Sequence, residues 1–347
     1  MLGSVHDADD ALQDTLLRAW RGAAGLRDAS SARPWLFSIA TNVCLTELER
    51  RSKRVLPHDF GPASAGNMPP GAPQIESTWI EPYPTQGMGI TPSDVNPEAS
   101  YELREGLELA LVAALQHLAA TQRAMLILRE VIGFSASEVA TMLQTSVPSV
   151  NSGLQRARAA VRERVGPRTQ QQALRSLGDD DLHRIVNRYV EAWEGNDVDA
   201  FTSLLVEDAT FAMPPLATWY APRAAIATWA RAFPLSGAWR WKTVLTEANA
   251  QPALGFYSWD ERAQAYLPFA LNVLSLRHGL VSDVTAFIVR AIDAPEPEAY
   301  QRFPEQPLDA RQVNMTFERF GLPDCVSPSA ENRSSVLHYR RPSRSES

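Results

Sequence analysis

Hydrophobic residues recur every three or four positions in residues 1–54 and 100–165, and this spacing predicts amphipathic α-helices. Residues 179–300 differ: two helical stretches precede strand-like segments that are rich in aromatic residues. Residues 301–347 lack periodicity and end in a polar Arg/Ser tail, so we expect a frayed extension. The pattern predicts a multidomain chain with two all-α modules followed by an α+β domain.

The first helical module is predicted to contain two helices. In the first, Leu12, Leu16 and Trp20 fall at helical spacing, and we expect them to face inward. Its opposite side is polar and acidic, and it is formed by Asp7, Asp10, Gln13 and Asp14. The second helix is predicted to begin near Pro34, whose ring suits a first helical turn, and to direct Trp35 inward. It ends in a basic cluster, Arg50, Arg51, Lys53 and Arg54.

Residues 55–99 separate the two helical modules and differ from both in composition. They contain nine prolines, five glycines, five acidic residues and no lysine or arginine. Such a segment buries too little apolar surface to fold, so we predict an extended, largely disordered linker. Its apolar residues Ile75, Trp79, Ile80 and Tyr83 leave open the alternative of a docking segment.

The bulk properties limit the classes of protein to consider. The formal net charge of −7 excludes a uniformly basic surface, so any nucleic-acid site must be local. We find no apolar run of membrane-spanning length and no signal peptide, and we expect a cytoplasmic protein that does not contact the membrane. Cys44 and Cys325 are too far apart in sequence to indicate a disulfide framework or a metal site.

The second module contains a predicted helix-turn-helix. Ser135 and Glu138 fit a capping box at the start of one helix. After a turn at Thr145, the next helix places apolar residues at spacings of four, three and four: Val150, Leu154, Ala157 and Val161. The opposite side of that helix is polar or basic, as expected of a recognition helix. We predict that it binds DNA through Ser149, Asn151, Ser152, Gln155, Arg156 and Arg162, the alternative being a solvated surface hairpin.

Three segments resemble a known family. Residues 6–20 (HDADDALQDTLLRAW) are similar to the core-polymerase-binding segment of extracytoplasmic-function (ECF) sigma factors of the sigma-70 family. Residues 34–42 (PWLFSIATN) and the basic cluster resemble the segment that melts and recognises the minus-ten element. Residues 121–164 resemble the domain that recognises the minus-thirty-five element. The resemblance implies a non-catalytic RNA polymerase subunit that directs transcription initiation at specific promoters.

The resemblance also implies roles for individual residues. Core polymerase would be bound by the acidic side of the first helix: Asp7, Asp10, Gln13 and Asp14. Promoter DNA near the start site would be bound by Trp35, Asn42, Arg50, Arg51, Lys53 and Arg54, which supply aromatic, polar and cationic groups for unstacked bases and phosphates.

Two features depart from the family pattern. Family members have a further helix before the core-binding segment, and we expect that the natural reading frame begins upstream of Met1. In the recognition helix, Asn151 and Gly153 stand where many relatives have basic residues. Gly153 costs about 1 kcal/mol of helix propensity relative to alanine, which indicates either a close backbone approach or weaker DNA recognition.

Residues 179–300 resemble the SnoaL-like cone, an α+β fold in which a curved sheet wraps around helices. The similarity lies in residues 189–197 (YVEAWEGND), 201–205 (FTSLL) and 209–215 (ATFAMPP). Aromatic side chains with a few polar groups are typical of a small-molecule pocket. The predicted pocket residues are Met213, Trp219, Tyr220, Trp229, Trp239, Trp241, Phe269, Asn272 and Asp283, the alternative being that most of them are core.

We interpret the cone as a built-in regulator that binds a small-molecule ligand or docks on the sigma modules. Two other functions stay open: a helix-turn-helix regulator with a ligand-binding effector domain, and a SnoaL-like enzyme fused to a DNA-binding module. We predict no cofactor and no metal, because the sequence has no phosphate-binding glycine loop and no His/Glu ligand spacing.

Overall fold

The computed structural model of the chain describes residues 1–26, 28, 31–68, 70, 79–85, 104–166, 168–289 and 316–328. These residues form two compact units. Over the described residues, the helical unit comprises 1–55, 79–83 and 104–169, and the α+β unit comprises 56–68, 70, 84–85, 170–289 and 316–328. The two predicted helical modules therefore lie in one compact unit.

The described helices are, in chain order, α1 (Val5–Gly22), α2 (Ala32–Arg50), α3 (Pro57–Phe60), α4 (Leu109–Gln116), α5 (Ala120–Leu126), α6 (Ala136–Met142), α7 (Val147–Val165), α8 (Gln170–Leu177), α9 (Asp179–Glu194), α10 (Val198–Ser203) and α11 (Arg223–Ala232). A 3₁₀ turn, Ala23–Gly25, follows α1, and a five-residue π-helical turn, Ile127–Val131, follows α5. Helix α3 and helices α8 to α11 belong to the α+β unit.

Helix α1 buries a different side from the predicted one. Its buried row, Ala11, Thr15 and Ala19, packs toward α2, and the Thr15 hydroxyl donates to the Ala11 carbonyl at 2.6 Å. The large residues that we expected inside are exposed: Leu12 at 55%, Leu16 at 54% and Trp20 at 78%. Both rows have a spacing of four residues, so periodicity did not distinguish between them.

Two linker residues form part of the helical unit. Trp79 and Ile80 are buried, and the Ile80 amide donates to the Val55 carbonyl at 3.1 Å. The expectation of a largely disordered linker is wrong for this stretch, because the two side chains bury enough apolar surface to hold it. Tyr83 is half-buried, and Ile75 lies outside the described residues.

The helix-turn-helix forms as predicted. Ser135 accepts from the Glu138 amide at 3.2 Å, and Glu138 accepts from the Ser135 amide at 2.7 Å, which completes the capping box of α6. Val150, Leu154 and Ala157 of α7 are buried in the core of this module, and Val161 packs against it. Gly153 is buried too: a Cβ atom there would overlap the Met125 sulfur. Its role is therefore close packing of α7 on α5.

The α+β unit contains a six-stranded sheet in the order β2-β1-β6-β5-β4-β3. The strands are β1 (Leu205–Ala212), β2 (Trp219–Tyr220), β3 (Trp241–Ala248), β4 (Gln251–Asp260), β5 (Ala265–Arg277) and β6 (Leu280–Ile288). Strands β1 and β6 run parallel, and the other neighbours are antiparallel. The inner face packs against α9, α10 and α11 through an aromatic core that includes Trp193, Phe211 and Phe256.

A C-terminal segment, residues 316–328, covers the outer face of this sheet. Phe317 and Leu322 are buried over Gly255, whose missing side chain leaves room for them. The Tyr257 hydroxyl donates to the Pro323 carbonyl at 2.8 Å, and Tyr266 forms an antiparallel bridge with Val326. The expectation of a frayed extension is therefore wrong for these residues, because their apolar side chains have a hydrophobic surface to cover.

Candidate nucleic-acid interface

Helix α7 presents a polar side to solvent. The Ser146 hydroxyl caps its N-terminus by accepting from the Ser149 amide at 3.3 Å. Because Val150, Leu154 and Ala157 are buried, the opposite side is accessible. The structure brings the predicted DNA-binding residues together on that side: Ser149, Asn151, Gln155, Arg156 and Arg162 are exposed, and Ser152 is half-buried.

The chemistry of this side suits promoter DNA. Amide side chains such as Asn151 and Gln155 can pair with adenine, whereas arginines such as Arg156 pair with guanine or phosphate. The short polar residues lie early in the helix and the arginines later. Arg158, a further basic residue of α7, forms an ion pair with Glu130 at 2.6 Å. That these residues bind DNA stays a prediction.

The basic cluster after α2 does not form one exposed surface. Arg54 is buried, and it donates to Asp7 at 2.8 Å and to the Trp79 carbonyl at 2.7 Å. Arg51 also pairs with Asp7 and with Glu47. Asp7 is buried between these two arginines. Asp7 and Arg54 neutralise each other in the interior, so neither side chain is accessible in this structure for the predicted contacts with polymerase and DNA.

The other predicted residues of this module remain accessible. Asn42, Arg50 and Lys53 are exposed, and Trp35 is half-buried against the backbone of Gly22. Arg50 lies 3.8 Å from Glu47, and Lys53 lies 2.5 Å from His117 Nδ1. On α1, Asp10 and Gln13 are exposed, whereas Asp14 forms an ion pair with Arg18 at 2.7 Å.

Sequence reasoning missed Glu81. Its carboxylate accepts from the Val5 amide at 2.8 Å and receives Arg54 at 3.4 Å. A carboxylate at a helix N-terminus is favoured by the helix dipole. The acidic residues of the linker were visible in the sequence. The contact itself could not be predicted from local patterns, because Val5 and Glu81 are 76 positions apart. This linker residue therefore caps the predicted polymerase-binding helix.

The predicted pocket residues of the α+β unit divide between the two faces of the sheet. Buried in its interior are Met213, Tyr220, Trp229, Trp241, Phe269 and Asn272, and Trp239 stacks on Trp241 at 5.2 Å. Asn272 donates to the Tyr189 hydroxyl at 3.4 Å, and burial raises the pKa of Tyr189 above its ordinary value. That these residues enclose a ligand site stays a prediction.

Asp283 and Trp219 differ in position from the other predicted pocket residues. Asp283 lies on the outer face: it pairs in register with Thr210, whose hydroxyl donates to it at 2.8 Å, while the neighbouring Val284 points into the core. Its prediction as a pocket residue is therefore wrong. Trp219 is half-buried, and its indole donates to the Gly61 carbonyl at 2.8 Å. Trp219 therefore contacts Gly61, a residue of the predicted linker.

Three family models match the chain in this order. Sigma-70 region 2 matches residues 1–54, Sigma-70 region 4 matches residues 108–161, and a SnoaL-like domain matches residues 186–281. The matches cover the helical blocks that precede and follow the linker, and most of the α+β unit. Among the described residues, no helix is both long enough and apolar enough to cross a bilayer.

Curated relatives agree with these matches. The chain is 38% identical over 289 residues to the ECF RNA polymerase sigma factor SigG of Mycobacterium tuberculosis (strain CDC 1551 / Oshkosh), an alignment that covers 83% of this chain and 76% of SigG. It is 31% identical over 161 residues to SigM of M. tuberculosis (strain ATCC 25618 / H37Rv), over 46% of this chain and 65% of SigM.

A solved structure shares the architecture. The crystal structure of the M. tuberculosis ECF sigma factor SigJ matches with a TM-score of 0.53 and 20% identity, over 88% of this chain and 93% of SigJ. This likeness supports the fold alone. The identity with SigG over most of both chains, together with the ordered region 2 and region 4 matches, shows that this protein belongs to the family of ECF RNA polymerase sigma factors and carries a C-terminal SnoaL-like domain.

Proposed function

We propose that this sigma factor recognises the minus-thirty-five element through the exposed side of α7. A sigma factor is a non-catalytic subunit that binds core RNA polymerase and promoter DNA. The observation that carries the proposal is the single solvent-facing side that bears Ser149, Asn151, Gln155 and Arg156, opposite a fully apolar buried side. A recognition helix needs this division, because its apolar side fixes its orientation while its polar side enters the major groove.

We assign the other two contacts to the first helical module. Asp10, Gln13 and Asp14 would bind core polymerase, because they lie on the accessible part of α1. Asn42, Arg50 and Lys53, with the half-buried Trp35, would contact DNA near the start site. We leave Asp7 and Arg54 out of both sets, since their mutual ion pair gives them a structural role.

Regulation by the SnoaL-like domain is supported by the linker. The Ser64 amide donates to the Trp219 carbonyl at 2.8 Å, and the Tyr220 hydroxyl donates to the Met68 carbonyl at 3.3 Å. Gly66 lies so close to α11 that a Cβ atom would overlap the Ala225 carbonyl oxygen. The SnoaL-like domain thus holds linker residues 61–68, whereas the helical unit holds residues 79–83. A linker held in this way would limit how the two DNA-binding modules move.

The interior of the SnoaL-like domain is a candidate site for an apolar small molecule with one polar group. The buried Tyr189 hydroxyl and Asn272 amide would be its polar partners. We assign no catalytic role to this interior. Asp283 lies on the opposite face of the sheet and His278 at the exposed β5–β6 turn, so neither side chain lies in this interior to act as an acid or a base.

Run-off transcription with core polymerase tests the proposed function. The full chain should support initiation at its promoter, and Arg156→Ala should reduce it, because an arginine contact to a base is worth about 1–3 kcal/mol. Arg184→Ala removes an exposed arginine of α9 and serves as the matched control. Failure of the chain to co-purify with core polymerase or to start transcription would contradict the proposal.

A separate set of variants tests whether the SnoaL-like domain regulates transcription. Gly66→Ala should release the linker from the SnoaL-like domain and change transcription in the same direction as truncation after Arg168. Gly61→Ala is the matched control, because a Cβ atom there meets no atom within 4 Å. Equal transcription from the full chain, the truncated chain and Gly66→Ala would rule out a regulatory role.

A further inference from the structure

A line of polar and basic residues runs along the exposed part of α7. Each member follows, by one position, an apolar residue that packs on the region 4 core, and the line consists of Asn151, Gln155, Arg158 and Arg162. Residues three or four positions apart are neighbours on a helix surface, and all four are exposed. Arg158 therefore lies between two residues that are predicted to bind DNA, Gln155 and Arg162.

Arg158 differs from the neighbouring arginines of this line in having an acidic partner. Its Nη2 atom donates to a carboxylate oxygen of Glu130 at 2.6 Å. Arg156 and Arg162 form no ion pair with the part of the chain that the structure describes. The residues three positions before and four positions after Arg158 on α7 are a glutamine and an arginine, so the carboxylate comes from another element. One cation of the line is thus occupied before DNA arrives.

Glu130 reaches α7 from the five-residue π-helical turn, Ile127–Val131, that follows α5. Within this turn the half-buried Arg129 donates to the Phe134 carbonyl, whereas Glu130 is exposed and pairs with Arg158. Short π-helical turns are rare and often occur at functional sites. The turn therefore places a carboxylate beside the side of α7 that phosphates would approach.

The ion pair is weak enough to be exchanged. The Arg158 side chain is 49% exposed and the Glu130 side chain 42% exposed. Water screens a pair with this exposure, so the pair contributes little to the stability of the fold. A DNA phosphate offers arginine the same type of contact, because its oxygens accept charged hydrogen bonds from the planar guanidinium group. Arg158 can therefore leave Glu130 for a phosphate without disturbing the region 4 core.

We propose that Glu130 competes with DNA phosphates for Arg158 and so limits the sequence-independent affinity of region 4 for DNA. This inference rests on the proposed role of α7. Phosphate contacts carry no direct sequence information, and each one adds affinity for any duplex. With Arg158 held by Glu130, binding to DNA outside promoters is weaker, while the amide side chains of Asn151 and Gln155 remain available to read bases.

Titration of the full chain with a labelled duplex of random sequence tests the inference, because such a duplex reports sequence-independent contacts. Fluorescence anisotropy gives the affinity at a series of salt concentrations. Glu130→Gln should raise the affinity about three- to ten-fold at about 0.1 M salt, and it should steepen the slope of log K against log[salt] by about 0.9, the change expected for one more phosphate contact.

A double-mutant cycle separates the release of Arg158 from a simple change of net charge. Arg158→Gln should weaken binding more in the Glu130→Gln background than in the wild type, because only in that background is the arginine free to meet a phosphate. Glu163→Gln is the matched control: it removes the same charge from an exposed residue of α7 that has no ion pair among the described residues. This control should raise the affinity less than Glu130→Gln, and its effect should add to that of Arg158→Gln.

Three results would overturn the inference and leave the proposed function intact. They are equal effects of Glu130→Gln and Glu163→Gln, additive effects of Glu130→Gln and Arg158→Gln, and weaker binding in Glu130→Gln, which would mean that Glu130 orients Arg158 toward DNA. Unchanged protection of the minus-thirty-five element in Arg156→Ala would instead overturn the proposed role of α7, and the inference with it.

Discussion

The basic end of α2 and the polar side of α7 both contain several arginines, but the two sets of arginines have different surroundings. Arg50, Arg51 and Arg54 lie at the end of α2 or just after it, and Arg156, Arg158 and Arg162 lie on α7. On α7 the arginines are exposed, because the opposite side of the helix is apolar and buried. After α2, Arg54 is buried by Asp7 from α1 and Glu81 from the linker. A basic cluster therefore indicates a DNA site only where no distant carboxylate neutralises it.

The largest effect should come from breaking the buried pair. Arg54→Ala leaves the Asp7 carboxylate buried without its main partner, and we expect a loss of about 3–5 kcal/mol in the free energy of unfolding. Urea denaturation measures this loss. Arg50→Ala, in the same cluster but exposed, should change stability by about 0.5 kcal/mol or less. Equal effects of the two variants would mean that the two arginines have the same environment.

A smaller loss of stability should follow from removing the N-cap of α6. Ser135→Ala removes the hydroxyl that accepts from the Glu138 amide, and it should lower the stability of the helical unit by about 1 kcal/mol. Thermal unfolding followed by circular dichroism measures this change. Ser137→Ala, in the first turn of the same helix, is the control, since Ser137 is exposed and is not the N-cap residue. A Ser135→Ala variant that unfolds at the same temperature as the wild type would contradict the capping assignment.

The smallest effect should be a dependence on pH at the same cap. The hydrogen bonds with Ser135, followed by the charge of Arg33, hold the pKa of Glu138 below its usual value. A lowered folded-state pKa means that the carboxylate stabilises the fold above its ordinary pKa, and that this contribution is lost as the pH falls through the folded-state pKa. Stability should therefore fall less steeply below about pH 4.5 in Glu138→Gln than in the wild type. Parallel curves for the two proteins would exclude this contribution.

The features that were predicted correctly from the sequence depend on residues that are close together in the chain. The capping box of Ser135 and Glu138 and the buried row of α7 needed only local spacing, and the structure has both. The α1 prediction failed because two rows share the same spacing. The Asp7–Arg54 pair joins residues 47 positions apart, so no local pattern could reveal it.

The outer-face position of Asp283 was hidden for another reason. Most residues of β6 are buried, whichever face of the sheet they lie on. Without an alternation of polar and apolar residues, a strand does not reveal which side chains point inward. A register shift between Ser275 and Leu276 also changes the pairing along β6.

Footprinting of the holoenzyme on its promoter tests the central claim most directly. We predict protection of both promoter elements by the wild-type chain, and a specific loss of protection at the minus-thirty-five element for Arg156→Ala, with Arg184→Ala unchanged. Full protection of that element by Arg156→Ala would contradict the assignment of α7 as the helix that recognises it.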